Sequence, residues 1–162
     1  MSKKSVLFVC TGNICRSPSA EGIFRHMVRE RGIDSQFQID SAGLHAYHVG
    51  EKPDPRSSRE AKKHGVDLSG QRARQLRRED FQMFDCILAM DYGHLEDMKA
   101  MAPDEYKSKI QLFLEPIRNE VMLSEVPDPY YGGRDGFKKV FNLIERGCEA
   151  WLNRWNEENA VV

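Results

Sequence analysis

Cys10-Thr11-Gly12-Asn13-Ile14-Cys15-Arg16-Ser17 stands between an apolar run, Ser5 to Val9, and a segment in which Ala20, Ile23, Phe24, Met27 and Val28 recur at helical spacing. The run reads as a short buried strand and the recurrence as an amphipathic helix, about Pro18–Arg31. Pro18 fits a first helical turn, where a missing N–H costs little, and Gly32 closes the helix. A thiol thus ends a strand, an arginine opens a helix, and a tight loop with one glycine joins them. The N–H groups of such a loop converge on a concavity suited to anions, and the helix N-terminus adds positive potential. Arg16 brings a planar, two-pronged donor that matches phosphate oxygens. A thiol at the rim of that potential is expected to lose its proton more easily than a free cysteine. Cys10 is therefore a candidate nucleophile toward phosphorus and Arg16 a candidate clamp. Thr11, Gly12, Asn13, Ile14 and Cys15 form the cradle between them.

Outward from this loop, apolar and helical patterns alternate. Strands are expected at Phe37–Ser41, Cys86–Met90 and Ile110–Leu114. Helices are expected at Arg56–His64, ended by Gly65, at Arg78–Phe84, and at Tyr92–Met101, stopped before Pro103. Phe137, Val140, Phe141, Ile144, Cys148, Trp151, Leu152 and Trp155 mark one face of a long final helix, read as core. His45–Pro55 is turn-rich, and Glu115–Gly133 reads as a long functional loop. Strands alternating with helices imply an open parallel sheet covered on both sides. In such sheets the ligand crevice lies beyond the C-terminal strand ends, at a topological switch point. The loops after the first and fourth strands both emerge at that edge.

The 162 residues fit a single domain, residues 1–162, with a real core. A formal net charge of −1 gives no global attraction to nucleic acid or to an anionic membrane. No apolar run is long enough to span a bilayer. Lys3 and Lys4 precede an apolar stretch too short for a signal peptide. Four cysteines, two of them in one loop, do not resemble a disulfide scaffold, so a reducing cytoplasm is the expected location. The five histidines form no ligand cluster, and no metal site is read. Arg72, Arg74, Arg77 and Arg78 read as a solvated polar face. Cys86 and Cys148 read as inert core residues.

The late loop holds Val126-Pro127-Asp128-Pro129-Tyr130-Tyr131-Gly132-Gly133. Flanking prolines restrict the backbone around Asp128 and hold its carboxyl group in place. Attack on a phosphate ester expels an oxyanion that needs a proton, and a positioned acid supplies it. Near a thiolate and a bound dianion the neutral acid is favoured, so Asp128 is the candidate donor. The adjacent tyrosines are suited to walling a slot for an aromatic ring.

An early Cys-x5-Arg strand–loop–helix together with a late Asp-Pro-Tyr-Tyr resembles the low-molecular-weight protein tyrosine phosphatases. The resemblance extends over essentially the whole chain in motif and element order. It implies a three-layer α/β fold: an open four-stranded parallel sheet, flavodoxin-like order 2-1-3-4, with helices on both faces. It implies Cys10 as nucleophile, Arg16 as phosphoryl clamp, Ser17 as an aid to the sulfur and Asp128 as general acid and base. Asn13 would stabilise the loop with support from Ser41. Tyr47 and Tyr130 would face each other across a phenyl slot, and Tyr131 completes the tyrosine pair. Gln71 stands where many relatives place a histidine that buttresses Asn13. The implied substrate is a phosphotyrosine-containing protein, with no cofactor, no nucleic acid and no membrane insertion.

Two alternatives share the scaffold. Arsenate reductases carry a similar first motif but pass a disulfide outward through further thiols. None follows Cys86 in Ile87-Leu88-Ala89-Met90-Asp91-Tyr92-Gly93-His94. Protein-arginine phosphatases resemble the chain but have a small polar residue where Ile14 stands and lack the tyrosine pair. A branched apolar Ile14 narrows the slot in favour of a flat ring. Cys15 is open between a small structural residue and a redox partner of Cys10.

Overall fold

The computed structural model describes residues 3–133 and 135–160. Four strands, β1 (Lys4–Cys10), β2 (Phe37–Gly43), β3 (Cys86–Ala89) and β4 (Ile110–Leu112), form one parallel sheet in the order β2-β1-β3-β4. Six α-helices join or follow them: α1 (Arg16–Glu30), α2 (Pro55–Lys63), α3 (Arg78–Met83), α4 (Tyr92–Met101), α5 (Arg118–Val121) and α6 (Gly136–Ala160). After β1 the chain steps outward to β2, then returns past β1 to β3. The C-terminal ends of β1 and β3 thus flank the switch point.

β1 is buried on both faces, which is why its sequence is continuously apolar rather than alternating. Its alternate residues feed two cores. Val6 and Phe8 pack with Ile23, Phe24, Phe141, Trp151 and Trp155 beneath α1 and α6. Leu7 and Val9 pack with Phe81, Ile87, Met98 and Ile110 beneath α3 and α4. The stripe on α6 is core, as its spacing predicts. A Cβ at Gly147 would run into the Phe113 ring, so α6 lies close against the residue that follows β4. Trp151 Nε1 donates to Phe113 O at 2.6 Å and anchors the same contact. Cys86 and Cys148 are both buried, and burial pushes the Cys86 thiol up to about 12. Among the described residues no helix is long and apolar enough to cross a membrane.

Several boundaries differ from the sequence reading. α1 begins at Arg16 rather than Pro18, because proline is tolerated inside a first turn. β4 ends at Leu112; Phe113 and Leu114 stay buried but turn toward a 3₁₀ segment, Glu115–Ile117. An apolar run alone does not separate a strand from such a buried turn. Residues 115–133 are not one open loop, since they also contain α5 and a second 3₁₀ turn, Pro129–Tyr131. Arg74 does not belong to a solvated face. It pairs with Asp40 and Asp80, each at 3.0 Å, with its side chain largely covered.

Candidate active site

The loop after β1 is shaped by hydrogen bonds to its own side chains and by close backbone packing. Asn13 has φ of 59°, in the left-handed region that asparagine tolerates better than most residues. Its Oδ1 accepts from the Arg74 N–H at 3.0 Å, which fixes the amide orientation. Its Nδ2 then donates to Ser17 Oγ at 2.8 Å and to Ser41 Oγ at 3.0 Å. Ser41 donates onward to Glu21 Oε1 at 2.6 Å. Burial raises the Glu21 carboxyl, opposed by the bonds from Ser41 and Arg25. Ser17 Oγ accepts from Asn13, and its single proton has two acceptors in reach, Cys10 Sγ at 3.0 Å and Ala42 O at 3.4 Å. Ser41 thus accepts from Asn13, whereas Gln71 is bonded elsewhere. Gln71 Nε2 donates to Pro18 O at 3.0 Å, and the Arg74 backbone takes the buttressing place.

The outer wall of the loop is the segment after β2. Leu44 N–H donates to Cys10 O and His45 N–H to Thr11 O, both at 3.0 Å, and Asp54 N–H donates to Ile14 O at 2.7 Å. Gly43 makes this possible. A Cβ there would lie 2.9 Å from Asn13 N and Gly12 C, both backbone atoms. No signal in the sequence reading marked Gly43. Cys15 precedes α1 without a side-chain cap, and the first turn has no acidic residue. The N–H groups that open α1 are thus left for an anion. Burial pushes the Cys15 thiol up to about 12, so at neutral pH it stays protonated.

Arg16 is buried and held by three protein acceptors. Nη1 donates to Asp91 Oδ2 at 3.1 Å and to Val126 O at 3.0 Å, and Nη2 to Thr11 Oγ1 at 3.4 Å. Asp91 caps α4 through the His94 N–H, 2.9 Å from Oδ1. Val126 N–H donates to Met90 O at 2.8 Å, so one residue ties the late loop both to the end of β3 and to Arg16. Two residues on, Asp128 caps the 3₁₀ turn, its Oδ1 accepting from Tyr130 N–H at 3.0 Å.

Cys10, Arg16, Ile14, Tyr47, Asp128 and Tyr130 line one cleft of about 200 Å³, with Thr11, Gly12, Cys15 and His48. Tyr47 is 81 % exposed at its mouth. The side chain of Tyr131 lies outside the described residues. Tyr130 donates from its hydroxyl to Asp54 Oδ2 at 2.8 Å, and Arg56 lies over its ring at 4.6 Å while pairing with Asp54 at 3.1 Å. Burial, with the Cys15 and Asp54 contacts, raises the Tyr130 phenol. A larger hollow of about 770 Å³, lined by Pro53, Val66 and Leu68, has no cysteine in its lining. Asp54, Arg56, Asp91, His94 and Glu21 escaped the sequence reading. Only Asp54, between Pro53 and Pro55, carried a local signal comparable to that of Asp128.

The family model described as low molecular weight phosphotyrosine protein phosphatase matches residues 5–161. The chain is 40 % identical over 157 residues to the low molecular weight protein-tyrosine-phosphatase YfkJ of Bacillus subtilis, covering 97 % of this chain and 99 % of that one. It is 41 % identical over 155 residues to the low molecular weight phosphotyrosine protein phosphatase of Gallus gallus, covering 93 % and 95 %. The crystal structure of YfkJ superposes with a TM-score of 0.91 over 98 % of each chain, at 39 % identity.

Proposed function

The chain belongs to the low molecular weight phosphotyrosine protein phosphatase family and is a protein-tyrosine phosphatase, and from that premise we propose that Cys10, Arg16 and Asp128 carry its two-step reaction. The cleft that all three line is the observation that supports this reading. The Cys10 sulfur attacks phosphorus in line with the aryl oxygen. The S–P bond forms as the P–O bond breaks, and Asp128 transfers its proton to the departing phenolate. Water then attacks the phosphocysteine, losing its proton to Asp128, and the sulfur leaves as thiolate with the Ser17 hydroxyl donating to it. Loop N–H groups and the Arg16 fork hold the charge on the equatorial oxygens in both steps.

The substrate is a phosphotyrosine side chain in a protein. Its ring lies between Tyr47 and Tyr130, with Ile14 at the edge of the slot. Phosphoarginine is disfavoured by that apolar edge. The thiol relay of an arsenate reductase has no support in Cys86 or Cys148, since both are buried in the core. A phosphotyrosine peptide labelled on phosphorus, quenched in acid during turnover, should leave label on Cys10 and none on the Cys10→Ser variant. Faster release from phosphoarginine than from phosphotyrosine would overturn the substrate assignment.

A further inference from the structure

Arg16 has five N–H donors, and three of them are taken by Asp91, Val126 O and Thr11. The Nε–H and one Nη2–H are left without a protein partner among the described residues. Those two lie on one edge of the guanidinium and suit two phosphoryl oxygens. The orientation of that edge therefore depends on what holds the other three. Asp91 and Val126 O both act on Nη1. Only Thr11 acts on Nη2, and a hydroxyl turns freely unless something fixes it.

His94 supplies the fixing group. Its Nε2 is 2.8 Å from Thr11 Oγ1, and the ring is buried in the first turn of α4. Burial, joined by the Arg16 charge and opposed by Asp91, pulls the imidazole down to about 4, so it is neutral at physiological pH. A neutral ring has one N–H and one acceptor. Nδ1 lies 3.2 Å from Asp91 Oδ1, off the axis of a hydrogen bond, and has no other protein partner. If Nε2 carried the proton, Nδ1 would face a carboxylate with its lone pair. With the proton on Nδ1, that nitrogen faces the carboxylate with a positive edge and Nε2 accepts the Thr11 hydroxyl. The Thr11 oxygen then turns its lone pairs to Arg16 Nη2, and Arg16, Asp91, His94 and Thr11 close a ring.

We propose that Thr11 and His94 form a hydroxyl–imidazole brace that sets the plane of the Arg16 guanidinium, making His94 a positioning residue for phosphoryl transfer. The proposal rests on the reading of Arg16 as phosphoryl clamp. It gives the Thr11 side chain a role separate from that of the loop backbone. It also links α4, with Asp91 at its N-cap and His94 in its first turn, to the phosphate-binding edge.

Thr11→Val removes the hydroxyl at nearly constant shape, and His94→Leu removes its partner. Active enzyme is counted by stoichiometric alkylation of Cys10, so a loss of folded protein does not enter the rates. Each variant should lower kcat/KM for a phosphotyrosine peptide about tenfold or more, the scale of one hydrogen bond to a charged group. Vanadate, which mimics the trigonal-bipyramidal phosphorus, should weaken by the same factor. The double variant should be no worse than the poorer single variant, because both remove one brace. Thr11→Ser and His94→Gln should restore most of the loss, since each returns a hydrogen-bonding atom near the vacated position. In an Arg16→Lys background Thr11→Val should have no further effect. Additive losses in the double variant, or an equal loss with arginine and with lysine at position 16, would overturn the brace. If Arg16→Lys alone keeps wild-type turnover, the clamp reading fails instead, whatever the brace variants do.

Discussion

Each turn of residues 10–17 is tied to buried structure, whereas residues 126–133 reach the same cleft through a few tethers near the surface. In the first region the supports are Asn13, Ser17, Ser41 and Glu21, all buried, plus three backbone bonds from the segment after β2. In the second they are the two bonds of Val126, the Asp128 cap and the Tyr130–Asp54–Arg56 cluster. The proposed anion cradle is therefore prebuilt, which would lower the reorganisation needed when charge develops. Asp128, the proposed proton donor, sits on a partly exposed turn. Damage to the first region should appear in anion binding, and damage to the second in the dependence on the leaving group.

The largest effect separates nucleophile from cradle. Cys10→Ser should abolish turnover while inorganic phosphate still binds, because the donors are backbone N–H groups and Arg16. Calorimetric titration with phosphate checks this; lost binding in a folded variant would mean that the cradle is not prebuilt. Next is Asp128→Asn. Phenol release in the first turnover should slow by about 10²–10⁴ with phosphotyrosine, and far less with a nitrophenyl phosphate, whose leaving group departs without a proton. Equal slowing across a series of phenol pKa values would remove Asp128 as the acid.

Gly43→Ala tests the cradle from outside. The new Cβ meets backbone rather than a yielding side chain, so the loop itself must move. A displacement near 1 Å costs about 10² in rate, and phosphate affinity should fall with it. Unchanged phosphate affinity would show that the loop tolerates the shift. The smallest effect on turnover is expected from Asp54→Asn at the other region. Burial alone would raise the Asp54 carboxyl, but bonds from Arg56 and Tyr130 hold it below its usual value of 3.8. A carboxyl lowered by folding adds stability above its unfolded pKa and loses it as pH falls through the folded value. The gap in urea midpoint between wild type and Asp54→Asn should therefore be widest at neutral pH and close in acid below about pH 3.8. A gap that does not change with pH would assign the loss to packing.

The residues proposed as nucleophile, clamp and acid stand out in the sequence because each sits beside a local punctuation mark. Cys10 and Arg16 bracket a strand-to-helix turn, and Asp128 stands between prolines. Gly32 and Gly65, at positive φ of 70° and 76°, end helices where the sequence puts them. Arg74 reads as solvated from the sequence because its partners Asp40 and Asp80, 34 and 6 residues away, share no periodicity with it. Gln71 was misassigned for a related reason. Its amide meets Pro18 O, 53 residues away, rather than Asn13, and only packing sets that pairing.

The sequence by itself determined the alternation of strands and helices, the strand-to-helix loop proposed to hold a dianion and the residues proposed to attack and protonate. Those depend on spacing within about twenty residues, where backbone geometry links sequence to position. Tertiary structure alone decided that Val126 O, Asp91 and Thr11 share the Arg16 guanidinium, that Gly43 admits the loop, and that His94 reaches Thr11. These contacts join segments from the ends of β1, β2 and β3 and from the late loop. The parallel sheet brings their C-terminal ends to one edge, and no local pattern encodes which side chains meet there.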